Sequence, residues 1–157
     1  MQRRAYFDDY WGEGWPRLDW LRPYFLGPPD RRWFESEGND SATLSLEGLE
    51  GTEGLLLHEG RKDIQLGMWG RADLGVLLIY TKWGSGPRQD FSSKGNLSLL
   101  QQWVRSLHDT PLPVGLFIPF ESAWEAVKEF IETDGELPTS IEWIANRDLP
   151  PNTFPDP

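Results

Sequence analysis

Leu74–Asn96, LGVLLIYTKWGSGPRQDFSSKGN, is the stretch on which the reading of this chain turns. Leu74 to Tyr80 is apolar, rich in branched residues and too short to span a membrane, which is the composition of a buried strand. Gly84-Ser85-Gly86-Pro87 then punctuates the chain, and Arg88 to Ser93 is short and mixed enough to return as a second strand. The economical reading is a hairpin whose first arm lies in the core. Nothing in it resembles a catalytic motif.

Working towards the N-terminus, Gly70-Arg71-Ala72-Asp73 is a turn, and Ile64 to Trp69 places Ile64, Leu66 and Met68 on one face of a strand. Leu55 to His58 reads as another strand, set off by Gly48, Gly51, Gly54 and Gly60, and Thr43 to Glu47 alternates polar with apolar as a half-buried strand does. Four strands at this spacing predict an antiparallel meander. Residues 1–41 are aromatic and interrupted by Pro16, Pro23, Pro28 and Pro29; Tyr6 to Trp11 is a candidate strand and Leu18 to Phe25 a candidate helix that Pro23 holds to about two turns. This Trp-rich segment is expected to lie across the domain as a covering layer.

Towards the C-terminus, Leu99, Leu100, Trp103, Val104 and Leu107 fit a helical period, although a long hairpin arm serves equally well. Val114 to Ile118 reads as a strand. Phe120, Ala123, Trp124, Val127, Phe130 and Ile131 then recur at the spacing that turns one apolar arc of a helix towards a sheet. Asp134-Gly135 is its stop signal, Ser140 to Ala145 a last strand, and residues 150–157 a Pro-rich tail. The predicted fold is α+β: a twisted, mainly antiparallel sheet with the C-terminal Glu121–Thr133 helix packed on one face. Length predicts a single domain over residues 1–157, with its sheet-and-helix core in 42–149.

Composition narrows the function. The 157 residues include 25 acids and 15 Lys or Arg, for a formal charge of −10, and no cysteine, which excludes disulfides and thiolate chemistry. Residues 96–157 hold ten acids against three bases and so carry most of that charge. A phosphate-binding surface needs clustered Lys and Arg, so direct nucleic-acid binding is disfavoured and a basic protein partner favoured. Arg3-Arg4 is followed by Tyr6-Phe7-Asp8-Asp9, where a signal peptide would place an apolar core, so the expected location is the cytoplasm. His58 and His108 sit in no motif, and no phosphate loop or metal-ligand spacing is present, so neither catalysis nor a cofactor is expected. Nine tryptophans admit core, interface or sugar-stacking roles.

Two constellations are candidates for partner binding. Trp83, with Arg88 and Asp90 across the turn, either has the anatomy of an aromatic anchor in a polar rim or folds back over the sheet edge. Glu121, Glu125, Glu129 and Glu132 fall within about 80° around the helix and form an acidic ridge, bordered by Lys128. That ridge is either a solvated face or a surface offered to a basic partner.

Several segments together resemble a known family. They are Asp63-Ile64-Gln65-Leu66-Gly67, Val76–Tyr80, Asp90–Asn96, Ile118–Glu121 with Ala123, Ala126, Val127, Phe130 and Ile131, then Gly135-Glu136-Leu137-Pro138 and Ile141-Glu142-Trp143. Over roughly residues 55–145 this resembles immunity protein family one of bacterial polymorphic toxin systems. The resemblance implies a small cytoplasmic protein, not an enzyme, that binds a cognate toxin domain, often a nucleic-acid deaminase, and blocks its active site. It transfers a role and no site residue. A carbohydrate-binding or carbohydrate-active domain using exposed tryptophans is the alternative.

Overall fold

In the computed structural model, residues 1–7, 10–27, 33, 40–84 and 86–156 are described. Leu74–Tyr80 lies in β5 (Gly75–Trp83), which pairs antiparallel with β4 (Asp63–Arg71) on one side and β6 (Gln89–Ser93) on the other. Its apolar run is continuous because both faces are covered. Val76, Leu78 and Tyr80 join the core beneath the helices, whereas Leu77 and Ile79 join a second cluster on the opposite face. The predicted hairpin with a buried first arm is what forms, although Ser85 of its turn lies outside the described residues.

The described strands of the main sheet run β10 (Trp143–Ala145), β6, β5, β4, β3 (Ser41–Glu47), β1 (Gln2–Phe7) and β2 (Tyr10–Glu13), with β9 (Phe117–Ile118) pairing one end of β5. Each of these pairings is antiparallel. Helices α1 (Leu18–Leu26) and α2 (Phe120–Glu132) pack together on one face. From α2, Phe120, Ala123, Trp124, Val127 and Phe130 face inward, as the apolar arc predicts, and Gly135 ends the segment at φ +94 with its N–H on the Phe130 carbonyl at 2.8 Å. The α+β expectation is met.

Four local readings change. Leu55–His58 is not a strand: β3 pairs directly with β4, Leu46 opposite Ile64 and Glu47 opposite Asp63, so residues 48–62 leave the sheet as a loop. Residues 97–113 form neither a long helix nor a long arm but a 3-10 turn at Leu97–Leu99 and a small hairpin of β7 (Trp103–Arg105) with β8 (Pro111–Pro113). Of Val114–Ile118 only Phe117 and Ile118 are strand, because Val114–Leu116 is a 3-10 turn. The N-terminal segment does more than cover the sheet. Its residues 2–7 and 10–13 supply β1 and β2, and α1 lies over them despite Pro23 within it.

Most of the aromatic content is thereby explained. Phe7, Tyr24, Phe25 and Trp33 interlock with ring centres 5.0 to 5.9 Å apart, and Phe25 meets Trp124 at 5.5 Å. These aromatic contacts join β1, α1 and α2 into one core.

Candidate protein-binding surface

On the face of the sheet away from the helices, the flap from Leu97 to Phe117 covers Leu77 and Ile79. Beyond that cover, the sheet registers carry Glu13, Arg4, Ser45, Gln65, Thr81 and Asp90 across one row, and Glu47, Asp63 and Trp83 across the next. Trp83 is half-buried there. The Arg88 guanidinium carbon lies 5.3 Å from the centre of its ring, and Arg88 Nε donates to Asp90 Oδ1 at 3.1 Å. Asp90 Oδ1 also accepts from Thr81 Oγ1 at 2.7 Å. The structure thus brings Trp83, Arg88 and Asp90 together as a planar cation on an aromatic face, held by a carboxylate.

Beside Trp83 opens a hollow of about 280 Å³ lined by Leu57, Arg61, Gln65 and Glu47 among others. Its wall is the 48–62 loop, and two features fix that loop against the hairpin. Gly84 has φ +89, and a Cβ at that position would collide with the Arg61 carbonyl oxygen, so only glycine permits the approach. Asp63, almost fully buried, accepts from the Gly48 N–H at 3.0 Å and from Arg61 Nε at 3.0 Å and Nη2 at 2.8 Å. Charged donors and a backbone amide together satisfy its carboxylate.

The same loop presents Leu55, Leu56 and Leu57 to solvent, 39%, 56% and 52% exposed. Sequence reasoning missed them as surface residues because an apolar run bounded by glycines also describes a short strand. The signal that separates the two readings is the absence of a polar alternation in Leu55–Leu57 together with four glycines in thirteen residues, from Gly48 to Gly60.

The acidic ridge lies elsewhere, on α2 across the sheet from Trp83. Glu121, Glu125 and Glu132 are exposed, with Glu125 paired to Lys128 at 3.4 Å. Glu129 is instead occupied by the chain itself: its carboxylate accepts from Thr139 N at 2.6 Å, Thr139 Oγ1 at 3.0 Å and Ser140 N at 3.0 Å. These bonds, the Thr139 backbone N–H foremost, hold the Glu129 carboxyl below its usual range. The structure therefore does not bring the two predicted constellations onto one surface, and it gives Glu129 an intramolecular task.

Of the tryptophans, Trp11 is 80% exposed on the outer strand β2. Trp11 and Trp83 line separate hollows, and Trp103, 38% exposed, lies apart on the flap. Among the described residues no His, Asp and Glu cluster could hold a metal ion, and no helix is long and apolar enough to cross a membrane. Both histidines are exposed.

No curated protein and no solved structure matches the chain. A family model does: residues 32–145, well over half of the 157, match the one described as Immunity protein Imm1. The match begins ahead of β3, so it takes in the 48–62 loop, the β5–β6 hairpin, α2 and β10 alike. The chain belongs to the Immunity protein Imm1 family.

Proposed function

We propose that this protein neutralises a cognate secreted toxin by binding its toxic domain and occluding the active site, and that the toxin acts on nucleic acid, with a deaminase as the leading class. Membership of the immunity family carries the reading. The charge of −10 supports the choice of toxin. A nucleic-acid-acting enzyme needs a basic rim around its site, and an acidic inhibitor is steered to that rim and competes there with phosphate. In this reading the Trp83–Arg88–Asp90 surface makes the contact, with Trp83 as anchor, and the exposed Glu121, Glu125 and Glu132 act from the other face as steering charges. The protein acts stoichiometrically in the cytoplasm, with no chemistry and no cofactor of its own.

The immunity reading expects a secreted protein with a toxic C-terminal domain in the adjacent reading frame, and the test is expression of that domain, with and without this protein, in a bacterial host. The expected result is rescue of growth, a stoichiometric complex on co-purification, and loss of deaminated bases from host nucleic acid. Absence of both rescue and complex would overturn the immunity reading. Rescue without deaminated bases in the unprotected host would overturn only the deaminase assignment.

A further inference from the structure

We infer that Leu55, Leu56 and Leu57 are an apolar anchor that seats in a hydrophobic hollow with a basic rim on the toxin domain, next to the contact made by Trp83. This rests on the immunity reading.

Three consecutive large aliphatic side chains at 39%, 56% and 52% exposure leave an apolar patch that folding does not use. Patches of this kind mark interaction surfaces. The patch is also built rather than loose. Leu55 N–H donates to the Thr52 carbonyl at 3.0 Å, Leu56 N–H to Glu59 Oε1 at 2.8 Å, and Arg61 N–H to the Leu56 carbonyl at 3.2 Å. Thr52 Oγ1 accepts from Lys62 N–H at 3.0 Å and donates to the Leu49 carbonyl at 2.7 Å, which closes the base of the loop. A loop ordered before binding holds its leucines outward with little further loss of entropy on association. Leu57 and Trp83 line one hollow, so the anchor and the aromatic are continuous.

Charge selects the occupant. Residues 47–60 contain Glu47, Glu50, Glu53 and Glu59 and no Lys or Arg. On the loop itself the carboxylate stands further out than its cation: Glu50 is 72% exposed against 30% for its partner Lys62, whereas Glu47 at the loop's base, 28% exposed, is flanked by Arg61 at 23% and Arg4 at 54%. Glu53 is paired with the chain's amino terminus and is the more exposed of that pair. A surface that approaches the leucines therefore meets the carboxylates of Glu50, Glu53 and Glu59 around an apolar centre. An anionic membrane would be repelled by that ring, and a second copy of this chain would set like rims against each other. A protein surface with apolar residues inside a basic rim fits both parts.

The experiment measures binding of a catalytically inactive form of the adjacent-frame toxin domain to wild type and to the variant carrying Leu56→Ser and Leu57→Ser. Both side chains are exposed, so the melting temperature should hold. Kd should rise by about 30-fold or more, as for hot-spot residues, chiefly through faster dissociation. A Kd within about threefold of wild type overturns the anchor and leaves the immunity reading intact. Should the double variant fail to fold, Leu56→Ser alone decides by the same Kd criterion. A wild type that does not bind the toxin domain overturns the immunity reading and the anchor together. Flotation of wild type with anionic phospholipid vesicles, or a dimer that the substitutions dissolve, would assign the leucines to another occupant and overturn the proposal.

Discussion

Glu129 on α2 accepts the backbone N–H of Thr139 at 2.6 Å, so the helix holds the segment that follows it by a carboxylate rather than by apolar contact alone. The bond turns one member of the acidic ridge inward to the chain and gives stability a pH dependence. The Thr139 backbone N–H, with the other donors, holds the Glu129 carboxyl below its ordinary value of 4.5, so the ionised form is the one the fold favours. A lowered folded pKa contributes stability that is present above the unfolded value and is lost as pH falls through the folded one. Glu129→Gln should therefore be less stable than wild type at neutral pH. The difference should shrink as pH falls below about 4.5. Denaturant unfolding of both proteins across that range checks it, the other carboxylates cancelling in the difference. A gap that stays constant down to strongly acid pH would mean that the Thr139 bonds do not depend on the charge.

Trp124 is 5% exposed and packs on Phe25 at 5.5 Å, linking α2 to α1. Trp124→Ala should cost roughly 3–5 kcal/mol and lower the melting temperature sharply. Calorimetry or thermal circular dichroism reads it directly. An unchanged melting temperature would contradict the packing of the two helices described above.

Tyr80 donates its hydroxyl to the Gly135 carbonyl at 2.8 Å, tying the central strand to the turn that ends α2. Burial first, and then the nearby Glu136 charge, push its pKa up to about 12 from 10.0. The neutral phenol is the form the fold favours, so its contribution is complete below pH 10 and is lost as pH rises through about 12. In a phenolate absorbance titration, the component missing from Tyr80→Phe should titrate near 12. A missing component near 10 would show that Tyr80 is not enclosed.

Trp83 and the ridge should separate in one kinetic experiment with the toxin domain. Trp83→Ala removes an anchor and the ring on which Arg88 stacks, so dissociation should quicken and Kd rise by at least about tenfold, with the fold intact. Replacing Glu125 and Glu132 by Gln should instead slow association, most visibly at low salt, and leave dissociation nearly unchanged. Glu129 is kept out of this pair because its loss acts on stability. Equal association rates at every salt concentration would place the ridge in solvent, and full affinity in Trp83→Ala would remove the anchor.

How much of this was legible without coordinates follows from the range of each interaction. Leu74–Tyr80 announced a buried strand, and the arc from Phe120 to Ile131 announced the helix face, because burial imposes a pattern on neighbouring residues and that pattern is written locally. Gly135 marked the end of α2 for the same reason, a backbone conformation that one residue type favours. Tertiary structure alone decided the rest. Leu55–Leu57 read as a strand until β3 and β4 were seen to pair without them. Strand pairing is a choice among distant segments, and exposure is a property of what those segments leave uncovered. Likewise Glu129 looked like its ridge neighbours until the chain folded Thr139 back onto it, a bond between residues ten apart that no helical period encodes. Trp83, Arg88 and Asp90 were near in sequence and so could be grouped in advance. Their position across the sheet from the acidic helix depended on which face α2 chose, and packing over the whole molecule determined that.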